Sequence, residues 1–315
     1  MKPGEDMLRI GHLSTLYHTS FLLKGTRILE EKGIRASWRL FPSGPDLVKA
    51  METGGLDLGY LGLPPVIIGI DRGIPLRCIA GGHIEGTVMV AGKTVHPLVD
   101  CPGMREFLAQ FAGRVIGTPP GGSIHDVIVR ELLREHGFTD VRVKNYPWAD
   151  FLVDALREGE IAAAAGTPAL AVASRRYGDA GLVVPPDRLW PFNPSYGIVV
   201  MESMLTREGL LRGFLAAHEE ASELIRRDPR SAAATVAGMT GMVDPEFVLE
   251  AYRISPGYCA SLPPEYITST MKFVGTLRDL GYISRSPGRE EIFETELIEK
   301  VHPGPHHYRA GISSE

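Results

Sequence analysis

Along the first two hundred residues, short apolar runs alternate with stretches whose apolar positions recur every three to four residues. This is the pattern of β-strands taken in turn with amphipathic helices, as in a mostly parallel sheet covered by helices. Strands are predicted over 8–13, 36–41, 56–61 and 76–80, separated by helices over 20–32, 46–53 and 64–72. The first helix carries Phe21, Leu22, Ile28 and Leu29 inward, and Gly33 stands where a helix C-terminus favours glycine. A crossover strand over 86–91 leads into a second set: strands at 114–117, 141–146, 161–165 and 182–184 between helices at 102–111, 123–136, 149–158 and 169–177. Residues 196–201 bring the chain back, and helices follow at 207–227, 230–237, 245–252 and 265–280.

The fold class read from this order is α/β with two lobes and a helical C-terminal extension. Lobe 1 takes residues 1–88 and 200–301, lobe 2 takes 89–199, and 302–315 is expected to be a disordered tail. A length of 315 residues suits two lobes, each able to bury its own core. His302, His306 and His307 lie close together in the tail and could ligate a metal, although a polar terminus of this kind more commonly stays loose.

Composition removes several classes of function. A net charge of -5 without a Lys/Arg cluster offers no field for nucleic acid, and 44% hydrophobic with 23% charged residues is ordinary for a globular protein. Cys78, Cys101 and Cys259 are too scattered for a disulfide framework or a CxxC motif and read as free thiols. Residues 1–6 are polar and the 8–13 run is shorter than a signal-peptide core, so no export signal is read. Localisation is left between the cytoplasm and an exported compartment reached with a leader that was removed or missed.

Candidate chemistry gathers where strands give way to helices. Gly62-Leu63-Pro64-Pro65, Gly117-Thr118-Pro119-Pro120 and Gly166-Thr167-Pro168-Ala169 repeat one junction: a glycine, one residue, and a proline able to start a helix. Any one of these is a serviceable β-to-α turn, but three of them drawn from both lobes point to one cleft at the carboxyl ends of the strands. Gly121-Gly122-Ser123 before a helix reads either as a seat for an anion or as a plain cap, with Ser123 and Asp126 spaced like a capping box. It is neither a Walker loop nor a dinucleotide fingerprint.

Ser14, Thr15, Tyr17, His18, Ser43, Gly44, Gly82, His83 and His125 sit in loops expected to reach the same cleft. His83 and Glu85 form an H-x-E pair that could serve acid–base chemistry or a metal, with His18 or His125 as a third member. Tyr17, Trp148, Trp190, Phe192 and Tyr196 are candidate walls, some of them core residues. His218 shares a helix face with Phe214, Ala221 and Ile225 and reads as a core histidine.

Glu30-Glu31-Lys32-Gly33, Ser43-Gly44 and Gly54-Gly55-Leu56-Asp57-Leu58-Gly59, in this order of elements, resemble the type 2 periplasmic solute-binding proteins. These serve ABC transporters for nitrate, taurine and alkanesulfonates, and related members bind thiamine-pyrimidine precursors. The resemblance spans essentially the whole chain. It implies a type 2 periplasmic-binding-protein fold, a ligand clamped between lobes, an ABC permease as partner, a monomer, and no cofactor or catalytic residue.

It also implies that Ser14, Thr15, Ser43, Gly44, Leu63, Gly82, Gly121, Ser123 and Thr167 line the cleft. To these the reading of the residues adds Tyr17, His18, His83, Thr118, Gly122, His125 and Tyr196. The same fold serves cytoplasmic enzymes, and the alternative is an enzyme or sensor using His83, Glu85 and His125. The Cys-rich motif of the pyrimidine-precursor synthase is absent, and Ser14 and Thr15 stand where a sulfinate desulfinase would need a thiol.

Overall fold

The computed structural model describes residues 7–313, so expectations on residues 1–6 and 314–315 lie outside it. Among the described residues, ten strands form two five-stranded sheets. In chain order they are β1 (Met7–Leu13), β2 (Arg35–Phe41), β3 (Leu58–Leu61), β4 (Leu76–Ile84), β5 (Val88–Gly92), β6 (Val115–Thr118), β7 (Arg142–Asn145), β8 (Ala163–Gly166), β9 (Ala180–Val184) and β10 (Pro194–Met201).

The first sheet has the order β2-β1-β3-β10-β4 and the second β7-β6-β8-β5-β9. β1 pairs in parallel with β2 and β3, as β6 does with β7 and β8. β10 runs antiparallel to β3 and β4, and β5 antiparallel to β8 and β9. Each lobe thus repeats one plan: four strands in one direction and one opposed. The opposed strand is in each case the one by which the chain arrives from the other lobe, and that entry reverses its direction.

The alternating pattern sets the elements as expected. β3 and β8 are buried along their whole length, as strands covered on both faces by helices must be. Ends shift by a few residues throughout, and β4 runs on to Ile84, so Gly81, Gly82 and His83, expected in a loop, lie in a strand. Two further differences bear on the architecture. The 20–32 helix is split into Thr19–Gly25 and Ile28–Glu31, with the Thr26 hydroxyl turned back onto the Leu22 carbonyl. A Cβ at Gly25 would stand 2.8 Å from Thr235, so the break falls where helix Pro229–Thr240 crosses closely. β10 lies wholly in the first sheet, so the return to lobe 1 comes at Pro194 and not at residue 200.

The tail also departs from expectation. Tyr308 is 2% exposed and its hydroxyl donates to the Ser261 carbonyl, Arg309 pairs with Glu85, and the Ser313 amide donates to the Arg226 carbonyl. The segment over 302–313 is a strap packed along lobe 1. The late helices do more than thicken lobe 1, because helix Pro245–Ile254 presses Phe247 and Ala251 against Val172 of lobe 2. Among the described residues no helix is long and apolar enough to cross a membrane.

The two crossovers between lobes, 85–87 and 185–193, are tied to each other. Glu85 and Phe192 both hold left-handed backbone, at φ 58° and 56°. The Glu85 amide donates to the Asn193 carbonyl at 2.7 Å, and the Phe192 amide donates to the Glu85 carboxylate at 2.9 Å. Non-glycine residues in this region cost about 1–3 kcal/mol each and persist where the surroundings over-determine them. Here the strain sits at the hinge.

Candidate functional site

Between the lobes lies a chamber of about 60 Å³. The N-cap residues of five helices line it: His18, Ser43 and Gly62 from lobe 1, Ser123 and Thr167 from lobe 2. Four of these helices run nine residues or more: Gly44–Glu52, Leu63–Asp71, Ile124–Glu135 and Pro168–Tyr177. A helix N-terminus carries unsatisfied N–H groups and roughly half a positive charge. Convergence on one point gives a positive potential without a single charged side chain in the lining.

The same chamber takes in Ser14, Thr15, Tyr17, Gly44 and His125. Several hydroxyls are already engaged. Ser43 Oγ donates to Asp46 Oδ2 at 2.5 Å, and Ser195 Oγ accepts from the Gly86 amide. Ser14, Thr15 and Thr167 keep their hydroxyls free of protein partners among the described residues, and Ser123 Oγ only accepts, from the Asp126 amide.

His125 adds a fifth donor. Asn193 Nδ2 donates to Thr87 Oγ1 at 3.1 Å, which leaves the threonine proton for His125 Nδ1 at 3.0 Å. That assignment puts the imidazole proton on Nε2, the nitrogen without a partner among the described residues. Burial pushes the His125 pKa down to about 4, and burial and neighbouring histidines hold His18 well below its usual range. Both rings are neutral at pH 7.

Other expected residues lie elsewhere. Tyr196 is fully buried beneath the chamber, its ring centroid 4.1 Å from that of His18, and Gly82 backs onto the Tyr196 ring, where a Cβ would stand 2.0 Å away. His83 is fully buried, stacked on Tyr196 at 6.2 Å and bonded through Nε2 to the Ser255 carbonyl at 2.8 Å. Glu85 faces the strap, bound to Arg309. His83, Glu85 and His125 therefore do not meet: His83 lies within β4, whereas Glu85 lies past its end in left-handed backbone, which breaks the strand alternation and turns its carboxylate to Arg309. Leu63 is buried in its helix, with Gly62 in the chamber in its place.

Thr118, Gly121 and Gly122 belong to a neighbouring arrangement. The anion at the glycine loop is internal: the Asp126 carboxylate, fully buried, accepts from the Gly122 amide at 3.0 Å, Tyr282 Oη at 2.5 Å, Asn145 Nδ2 at 2.7 Å and Arg130 Nε at 2.9 Å. Gly122 needs no side chain to adopt its φ of 78°. Ser123 caps the helix as the capping-box spacing predicts, while Asp126 turns back onto the loop.

Ser195, Pro42, Pro65, Pro119, Ile124 and Ala149 line the chamber without having been expected there. Pro65 and Pro119 stand inside the recurrent junctions and were legible as such, whereas Pro42 stands outside them. Ser195 had no local signal. Trp190 is structural, stacked on Phe273 at 4.0 Å, and Trp148 is not in the lining.

The chamber opens past Ser14, Thr15, Ala149 and Thr167 into a vestibule of about 370 Å³. Its wall is mostly apolar, with Leu16, Phe21, Val153, Leu170, Met239, Met242 and Phe247. Lys24 and Asp150 are its charged groups, and Lys24 Nζ donates to His12 Nε2 at 3.1 Å.

Gly62 is where the lobes come closest around the chamber. A Cβ there would lie 3.2 Å from the Ser195 carbonyl and 3.3 Å from Ile124 Cβ of the opposite lobe. Gly62→Val should therefore hold the lobes apart and weaken capture of any ligand that bridges them, with little loss of stability. Small-angle scattering with and without ligand reads the closure, and an unchanged ligand-induced compaction in the variant would refute this reading.

The family model described as the NMT1-like family matches residues 1–240. No curated protein matches the sequence. Among solved structures, the alkanesulfonate-binding protein SsuA from Xanthomonas axonopodis pv. citri bound to MOPS is similar at TM-score 0.78 and 18% identity, covering 93% of this chain and 100% of that one. The periplasmic nitrate-binding protein NrtA from Synechocystis PCC 6803 gives 0.77 at 13% identity, covering 100% and 93%. A ligand-binding component of an ABC-type import system from Staphylococcus aureus, solved with zinc bound, gives 0.79 at 16% identity, covering 95% and 100%. These likenesses establish the two-lobed periplasmic-binding-protein fold, and with the model matching 240 of 315 residues, the chain belongs to the NMT1-like family.

Proposed function

We propose that this protein is the solute-binding component of an ABC import system and captures a small organic anion, a sulfonate or carboxylate, in the inter-lobe cleft. The carrying observation is the chamber, where five helix N-caps and the free donors of Ser14, Thr15, Ser123, Thr167 and His125 converge from both lobes without a charged side chain. An anionic head held by neutral dipoles bridges the lobes, and closure is favoured because its contacts are complete only when both lobes touch the ligand. The names of the similar structures, alkanesulfonate-binding and nitrate-binding, agree with an anion.

The vestibule favours an organic anion over nitrate, since a three-oxygen ion would leave an apolar volume of about 370 Å³ without use. A pyrimidine is disfavoured, because Tyr196 is sealed beneath the chamber and Trp190 is already stacked. The separation of His83 and Glu85 from His125 removes the motive for the enzyme or sensor alternative.

Isothermal titration with alkyl and aryl sulfonates, carboxylates, nitrate and a neutral pyrimidine tests this. An organic anion should bind most tightly. His125→Ala should weaken it by about 1.5–3 kcal/mol, the worth of one hydrogen bond to a charged group, or one to two orders of magnitude in Kd. Binding of the pyrimidine alone, or an undiminished affinity in His125→Ala, would sink the proposal.

A further inference from the structure

A second cluster of polar side chains gathers beside the segment Cys259–Ala260, which hydrogen-bonds along β4, and takes no part in the chamber. Glu219 projects from helix Glu208–Arg227, Cys259 lies beyond helix Pro245–Ile254, and His302 and His307 come from the start of the strap. One donor atom from each falls within 4.8 Å of all the others.

The individual separations are more telling. His302 Nε2 and His307 Nδ1 are 3.1 Å apart, and Cys259 Sγ is 3.5 Å from the first and 3.8 Å from the second. Glu219 Oε1 is 3.6 Å from His307 Nδ1 and 3.9 Å from His302 Nε2. A tetrahedral zinc ion with N and O ligands at about 2.0–2.1 Å and a thiolate at about 2.3 Å has ligand–ligand edges of about 3.3–3.6 Å. These five edges, from 3.1 to 3.9 Å, bracket that range, and the Cys259–Glu219 edge lies within 4.8 Å.

The surroundings suit a structural ion. Cys259 is fully buried and the His302 side chain is 6% exposed. Glu219 is oriented from outside the cluster, with Oε2 accepting from the Ala260 amide at 2.7 Å and Oε1 from Arg226 at 2.7 Å. Such outer partners are what fix a ligating carboxylate. A thiolate and a carboxylate supply two negative charges for a divalent cation, with Arg226 remaining as the outer partner of Glu219. Four protein ligands leave no open position, as in sites that hold structure and not in those that perform catalysis.

We propose that Glu219, Cys259, His302 and His307 bind one zinc ion that fastens the C-terminal strap to lobe 1 behind the hinge. The consequence is mechanical. The strap carries Tyr308 and Arg309 onto β4 and Glu85, so the ion secures the segment that braces one crossover.

The test uses the full chain, stripped with a chelator and titrated with Co²⁺ as a spectroscopic stand-in and with Zn²⁺ as competitor. Tetrahedral Co²⁺ bands and a thiolate-to-metal charge-transfer band should saturate at one equivalent and be displaced by Zn²⁺. Cys259→Ser should lose the charge-transfer band. His307→Ala, at a side chain that is 43% exposed, should weaken binding by about a hundredfold or more. Chelation should also speed tryptic cleavage after Arg309, and Zn²⁺ should reverse that. No tetrahedral spectrum in the unmodified protein would overturn the proposal, whatever the variants do. So would a spectrum that survives unchanged in His307→Ala, which would place the metal elsewhere, for instance among the cleft histidines.

Discussion

Acidification from pH 7 to pH 4 should unfold the protein cooperatively, with most of the stability lost between about pH 6.5 and pH 4. His18, His83, His125 and His218 are buried, and burial lowers each of them: His83 to about 3, His125 and His218 to about 4, and His18 well below its ordinary value. His12, mostly buried beside Lys24, is also lowered to about 4. In the unfolded chain these rings titrate near 6.5.

Below that pH the unfolded state binds protons that the folded state refuses, so stability falls with falling pH until the folded values are passed. Their contribution is complete above about pH 6.5. Each group supplies about 1.4 kcal/mol per pH unit within its window, and four acting together supply about 5 kcal/mol per unit, comparable to a whole domain's stability. Paired carboxylates such as Asp57 titrate below this window and do not produce the same profile. Urea midpoints at half-unit steps from pH 7.5 to 4.5 check this. A midpoint that stays level between 6.5 and 4.5 would show that these rings protonate in the folded state.

Asp126→Ala should cost about 3–5 kcal/mol, the penalty for breaking a buried, fully bonded charge pair from one side. Removing the carboxylate strands the Gly122 amide and the Tyr282 hydroxyl, and leaves Arg130 without its counter-charge, held only to Asn145 Oδ1, while Asn145 Nδ2 keeps Thr118 and Pro119 as acceptors. Arg130 is 32% exposed at its side chain and can turn to solvent, so Arg130→Gln should cost much less. Because the loop held by Asp126 leads directly into Ser123 and His125, ligand affinity should fall along with stability. Chemical denaturation of both variants gives the comparison. A loss under 1 kcal/mol for Asp126→Ala would mean that the loop does not depend on its internal anion.

Asp126 also marks the division between what was legible along the chain and what was not. Ser123, Ser43 and Thr167 were recognisable as helix starts because an N-cap is a matter of three or four consecutive residues, and they stand in the chamber. The Gly-x-Pro junctions were legible for the same reason and brought in Pro65 and Pro119. The carboxylate that fills the glycine loop was visible too, but its partners Asn145 and Tyr282 are 19 and 156 positions away, and nothing local says that they meet there.

His83 and Glu85 looked like a catalytic pair by spacing alone. Their real partners, Ser255 and Arg309, stand 172 and 224 positions off and turn them into hinge and packing residues. The strap has a polar sequence, yet Tyr308 and Arg309 find partners that only the folded lobe presents.

The sequence by itself determined the elements, their order, the two lobes and the helix starts that face the cleft. These follow from hydrophobic period, capping and proline geometry, which act over a few residues. The tertiary structure alone decided which N–H groups remain free for a ligand, which histidines are sealed and neutral, and that Cys259 and Glu219 meet His302 and His307. Those outcomes depend on burial and on partners far apart in the chain, and neither is a property of any short segment.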